Sequence, residues 1–155
     1  MKLQPDITAL QPDDISRALM VWEAAVRATH HFVTEADLAL FKPMVRDALA
    51  SGALSVACVR DDEGEVAGFI GAADGKVEML FVHPDFHGQG AGRRLLTRAV
   101  ETWHAHALDV NEQNPQAVGF YQRMGFEVVG RSERDGMGKP YPLLHMRLKP
   151  VTSAE

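Results

Sequence analysis

The stretch VHPDFHGQGAGRRLL (82–96) sets Gly88, Gly90 and Gly92 at alternate positions between an apolar strand pattern and an arginine-bearing helical pattern. Glycine permits positive φ and lets another molecule touch the main chain. A run of N–H groups at a helix start, helped by the helix dipole, suits an anion. Two familiar phosphate loops are excluded. No Gly-Lys-Ser/Thr occurs, as a Walker loop requires, and Arg93 stands where the third glycine of a dinucleotide fingerprint belongs. What remains is an anion-binding turn of another kind, or a tight strand-to-helix turn with no ligand.

A second group of chemistry-bearing residues lies in NEQNPQAVGFYQRMGF (111–126). Asn114 before Pro115 is a ready helix cap. Tyr121, two helical turns on, shares a face with Asn114. Phe120 and Tyr121 both read as core aromatics, although a buried tyrosine needs a partner for its hydroxyl. In KVEMLFV, Glu78 is the one charged side chain after Lys76, either a proton acceptor or a solvated glutamate near a strand start. ATHHF supplies His30, His31 and Phe32 between two helical patterns, for ligand contact, for a proton acceptor in place of Glu78, or for capping or surface exposure. The seven histidines have poor metal-ligand spacing: His104 and His106 are two apart, and Cys58 has no partner motif, so no metal is expected. Mid-strand in SVACVR, Cys58 reads as an inert core thiol.

These residues are held by alternating helices and strands, which gives the α/β class. ITAL reads as a first strand, followed by a helix capped by Asp13 with Ile15, Leu19, Trp22 and Val26 on one face. A second helix opens at Thr34, contains Pro43 and ends at Gly52. ALSVACVR, EVAGFIGAAD and KVEMLFV form a meander through DDEGE and ADGK turns. After the glycines, Leu95, Leu96, Ala99, Val100 and Trp103 make the buried stripe of a helix, leaving Arg93, Arg94 and Arg98 off it. ALDVN, a helix through Tyr121, and the strands FEVVGRSE and PLLHMRL complete a mixed sheet of about six or seven strands flanked by about four helices. Residues 1–155 read as one domain, with 150–155 a frayed tail.

The 155 residues suffice for one core. A net charge of −5 argues against a nucleic-acid binder and suits a cationic substrate. No run is long enough for a signal peptide or membrane span, so a cytoplasmic chain without membrane partners is expected. Monomer and homodimer both stay open.

LFVHPDFHGQGAGRRLL resembles the acyl-CoA-binding motif of the GNAT superfamily of N-acetyltransferases, Gln/Arg-x-x-Gly-x-Gly/Ala after a strand and bend. Gly90 and Gly92 fill its last two fixed positions and His87 stands where Gln or Arg is usual. Asn114, Ala117, Phe120, Tyr121, Gly125 and Phe126 match the family's N-x-x-A-x-x-F-Y segment and Gly-Phe bend. The order of elements is similar along nearly the whole chain. The resemblance implies that His87, Gly88, Gln89, Gly90, Ala91, Gly92 and Arg93 receive the pyrophosphate of acetyl-CoA. It implies that Leu80, Phe81 and Val82 bond the pantetheine arm like an added strand and polarise the thioester carbonyl, with Asn114 and Tyr121 on the other half of the site. Tyr121 would then protonate the leaving thiolate. Glu78, sharing a face with Leu80 and Val82, would be the general base. His30, His31 and Phe32 fall in the acceptor-lining segment, and RDGMGKPYP (134–142) is a turn-rich loop before the last strand that would cover the acceptor site. The implied reaction is direct acetyl transfer to a primary amine, on a protein lysine or a small molecule. No covalent intermediate is needed, in keeping with the lack of a positioned nucleophile in the sequence. The other reading is a catalytically silent acyl-CoA-binding or regulatory module on the same fold.

Overall fold

The computed structural model describes residues 2–150. Of the expected tail, residues 151–155 lie outside the described residues. Among the described residues, seven strands and four α-helices follow one another in the α/β set read from the sequence. They fall into two compact units, one ending at Ala105 and the other starting at His106.

In the first unit, β1 (Leu3–Ala9), β2 (Ser55–Asp61), β3 (Val66–Ala73) and β4 (Lys76–Val82) form an antiparallel meander. The β3–β4 turn is Asp74-Gly75, both at positive φ as a two-residue hairpin of this twist demands. β3 is apolar at nearly every position because both of its faces are covered. On one, Phe69 and Cys58 meet Ala18, Val21, Trp22 and Val26 of α1 (Ile15–Thr29), with Leu38 and Leu49 of α2 (Glu35–Ala50). A further helix, α3 (Ala91–Trp103), packs against β2, β3 and β4. Its Leu95, Leu96 and Ala99 are fully buried, and each leucine contributes roughly 1.5–3 kcal/mol of burial.

The starts of α1 and α2 are built differently. Thr34 caps α2 as expected, its hydroxyl accepting the Asp37 N–H at 3.1 Å. Asp13 does not cap α1. Pro12 begins a short 3₁₀ turn (Pro12–Asp14), which moves the cap position on to Asp14. The Asp14 carboxylate accepts the Gln11 N–H at 2.8 Å and both Nη atoms of Arg60 at 2.9 and 2.8 Å. The Arg60 bonds hold its carboxyl below the usual carboxylate range.

In the second unit, β5 (Ala107–Asn111), β7 (Leu143–Leu148) and β6 (Phe126–Ser132) pair antiparallel in that order, and α4 (Pro115–Arg123) packs on β5 and β6. Leu108, Val110, Phe126 and Met146 are buried. By register, Asp109, Gly130 and His145 share the opposite face.

Candidate active site

The glycine turn is built as the sequence requires. β4 ends at Val82 and a 3₁₀ turn (Pro84–Phe86) follows, with the Asp85 N–H bonded to His83 Nδ1 at 3.1 Å and Phe86 buried beneath it. The chain then runs exposed through 87–90. Gly88 and Gly90 lie at φ 82° and 80°, and a Cβ on either would meet no protein atom within 4 Å. The backbone conformation, rather than crowding, therefore calls for glycine there, and it leaves the main chain open to close approach. Gly90 is the N-cap of α3, and the first intrahelical donor is the Arg94 N–H, to Gly90 O at 3.0 Å. The amides of Ala91, Gly92 and Arg93 precede it and have no helical acceptor. Three orphan donors at the positive end of a 13-residue helix fit a pyrophosphate.

The side chains around this cradle divide in a way their types did not reveal. Arg93 is exposed. Arg94 instead reaches β1, where its Nη2 donates to Gln4 O at 3.2 Å and to Pro5 O. It fastens the helix and is not part of the cradle. His87, expected to meet the cofactor, turns back to the strand, its Nε2 3.2 Å from Val82 O. A carbonyl only accepts, so Nε2 carries the proton.

β4 holds a departure from its expected alternation. Met79 pairs with Gly71 but Val77 pairs with Ala72, so Glu78 is the extra residue of a β-bulge. The sequence placed Glu78 on the face of Leu80 and Val82; the bulge takes it out of that alternation, because register depends on the partner strand. Bulges re-aim side chains and are common beside active sites. The Glu78 side chain is 42 % exposed, with Lys76 Nζ at 4.0 Å. Leu80, Phe81 and Val82 continue in register with Ile70, Phe69 and Gly68.

At the end of α1, Thr29 Oγ1 donates to Ala25 O at 2.7 Å and lies 2.7 Å from His30 Nδ1. With its one proton committed, the hydroxyl accepts from His30, so Nδ1 is protonated and Nε2 holds the lone pair. Burial, then the neighbouring His31, push the His30 pKa down to about 4. His30 is thus neutral near pH 7 but a weak base, better suited to contact than to proton removal. Its ring lies 5.3 Å from that of Phe32, and His31 is exposed.

In the second unit, Asn114 caps α4. Its Oδ1 accepts the Ala117 N–H at 3.3 Å, leaving the amide nitrogen as the part that could meet a ligand. Tyr121 is 9 % exposed, with Phe120 and Phe126 rings at 5.2 and 6.1 Å. Burial alone pushes its phenol well above the ordinary value, so the proton is retained. None of the described residues hydrogen-bonds that hydroxyl. In the 134–142 loop, Asp135 Oδ1 accepts the N–H groups of Met137 and Lys139, both at 2.9 Å, and gives the loop a fixed shape. Cys58 is fully buried and its thiol is pushed up by burial, as befits a core residue. Among the described residues no three His, Cys, Asp or Glu side chains cluster as a metal site, and no helix is long and apolar enough to cross a membrane.

Residues 24–149 match the acetyltransferase (GNAT) domain family. The chain belongs to this family. The peptidyl-lysine N-acetyltransferase YjaB of Salmonella typhimurium strain LT2 is 42 % identical over 130 residues, covering 84 % of this chain and 88 % of that protein. The solution structure of apo-form YjaB from Escherichia coli superposes with a TM-score of 0.85 at 33 % identity, covering 99 % of this chain and all of that one. The PaiA N-acetyltransferase of Thermoplasma acidophilum, solved with coenzyme A, shares the fold at a TM-score of 0.70 and 16 % identity, over 96 % of this chain and all of that one. As a GNAT acetyltransferase, the protein moves an acetyl group from acetyl-CoA to an amine nitrogen. The reading as a silent module gives way to an enzyme.

Proposed function

We propose that the acceptor is a lysine side chain in a protein or peptide. The high identity to a peptidyl-lysine N-acetyltransferase along most of the chain carries this reading, and the net charge of −5 suits a cationic acceptor. Both compact units are taken as one catalytic domain, since the family match runs through each.

The residues divide the work as follows. The amides of Ala91, Gly92 and Arg93, with the backbone of Gly88, Gln89 and Gly90, bind the pyrophosphate of acetyl-CoA, and the exposed Arg93 adds charge beside it. The backbone of Leu80, Phe81 and Val82 carries the pantetheine arm and polarises the acyl oxygen. Acetyl-CoA supplies the activated acyl group as a thioester. A lysine amine, with a reference pKa of about 10.4, must lose a proton before it can attack, at a cost of roughly 4–5 kcal/mol at pH 7. Glu78, re-aimed by the bulge, takes that proton directly or through water. Tyr121 holds the proton that the leaving thiolate requires. His30, His31 and Phe32 contact the acceptor.

The test is thiol release from acetyl-CoA across lysine peptides and small amines, with mass spectrometry locating the acetyl group. Acetyl-lysine formation at a higher kcat/KM than for any small amine is expected. Turnover confined to small amines would refute the peptide reading.

A further inference from the structure

We propose that the second unit carries a nucleophilic serine, Ser132, activated by His145 and Asp109, which cleaves short acyl esters and thioesters. The three residues come from three neighbouring strands and share one sheet face. Asp109 on β5 is the register partner of His145 on β7, and Ser132 on β6 stands opposite Leu143, two residues before His145. Asp109 Oδ1 lies 2.6 Å from His145 Nδ1, and Ser132 Oγ lies 2.7 Å from His145 Nε2. An ionised carboxylate only accepts, so Nδ1 carries the proton of the neutral imidazole. Nε2 is then a lone pair, and the Ser132 hydroxyl donates to it. Nucleophile, base and orienting carboxylate thus stand in the order and at the distances that activate a hydroxyl.

The surroundings favour this geometry. A Cβ on Gly130 would come within 3.4 Å of His145 Cδ2, so the glycine makes room for the ring. Val128 pairs with Met146 and Gly130 with His145, which makes Val129 a bulge residue three positions before the serine. The His145 and Asp109 side chains are 37 % and 26 % exposed, reachable yet partly screened. Asn111, opposite Leu143 on the same face, has a buried Oδ1 without a hydrogen-bond partner among the described residues, which leaves an unspent polar atom beside the three residues.

In the reaction, Ser132 Oγ bonds to the acyl carbon as its proton passes to His145 Nε2. The bond from that carbon to the thiolate or alkoxide breaks, and Nε2 protonates the leaving group. Water repeats the sequence, releasing the carboxylic acid and restoring the serine. No other reactant is required, and the proposal does not rest on the acetyl-CoA reading, which uses none of these three residues.

The test combines a fluorophosphonate probe, with the labelled residue mapped by mass spectrometry, and hydrolysis of p-nitrophenyl acetate and a thioacetate ester. Labelling at Ser132 is expected, with a fall in hydrolysis of about 10²–10⁴-fold in Ser132→Ala. Asp109→Asn should weaken labelling while circular dichroism shows the fold retained. No labelling of folded protein, labelling at another residue, or wild-type hydrolysis by Ser132→Ala would each overturn the proposal.

Discussion

Replacing Tyr121 with phenylalanine removes one oxygen and leaves the packing of the ring intact. The ring is held by Phe120 and Phe126 at 5.2 and 6.1 Å, contacts that do not involve the hydroxyl. That hydroxyl makes no bond to a described residue, so its loss should change stability by less than about 1 kcal/mol. In a chain of this size such a change moves Tm by about 2–4 °C at most. An acid that protonates the leaving thiolate contributes about 10²–10⁴ in rate, or roughly 3–5 kcal/mol of barrier. The two effects differ in scale and can be separated in one preparation. Thermal unfolding with and without acetyl-CoA reports stability and binding, both expected near wild type. Thiol release at saturating acetyl-CoA reports kcat, expected to fall at least a hundredfold. A residual rate above a tenth of wild type would refute the acid role and return Tyr121 to a purely packing one.

Gly90→Asp should abolish the thermal shift that acetyl-CoA gives, by setting a carboxylate at the cradle. Gly52→Asp is its control, since Gly52 has a similar φ of 77° and open surroundings at the end of α2 and should keep the shift. Glu78→Gln should lower turnover and flatten the rising limb of the pH–rate profile, and an unchanged profile would hand proton removal to another group or to water. His30 should titrate near pH 4 by NMR, and a midpoint near 6.5 would contradict the burial that lowers it. Because its folded pKa lies below the unfolded value, the unfolded chain binds more protons between these values. About 3 kcal/mol of stability, present above pH 6.5, is then lost as pH falls through 4, and His30→Gln should flatten that window.

The sequence carried whatever depends on local pattern. The meander was legible from alternation and its Asp-Gly turn, α3 from one unbroken apolar stripe, and the turn before it from glycines suited to the left-handed backbone of Gly88 and Gly90. Thr34 was legible because a cap bonds three residues away. What escaped were relations with distant partners. The bulge at Glu78 is decided by pairing with Gly71 and Ala72, and no property of KVEMLFV announces it. Arg93 and Arg94 look alike on the chain; β1 separates them by giving Arg94 two carbonyls. Asp109, Ser132 and His145 are far apart in sequence and meet only because three strands lie side by side. Asp13 failed as a cap for a nearer reason, since Pro12 favoured a 3₁₀ turn that shifted the helix start.

Between Leu3, which pairs with Asp61, and Ile7, which pairs with Val59, three residues of β1 stand against one of β2. The surplus chain bows away from the ladder, and there the Gln4 and Pro5 carbonyls accept from Arg94. β1 is the edge of its sheet, and an edge is where a second chain would add a strand. Here the row of donors and acceptors is interrupted: Pro5 has no N–H to offer, and two neighbouring carbonyls are already bound. Copies of this protein should therefore not polymerise through this margin. Trimming the first six residues would remove the guard, baring the Asp61 end of β2 to strand addition and releasing the arginine that moors the cradle helix, so aggregation and weaker acetyl-CoA binding should arrive together.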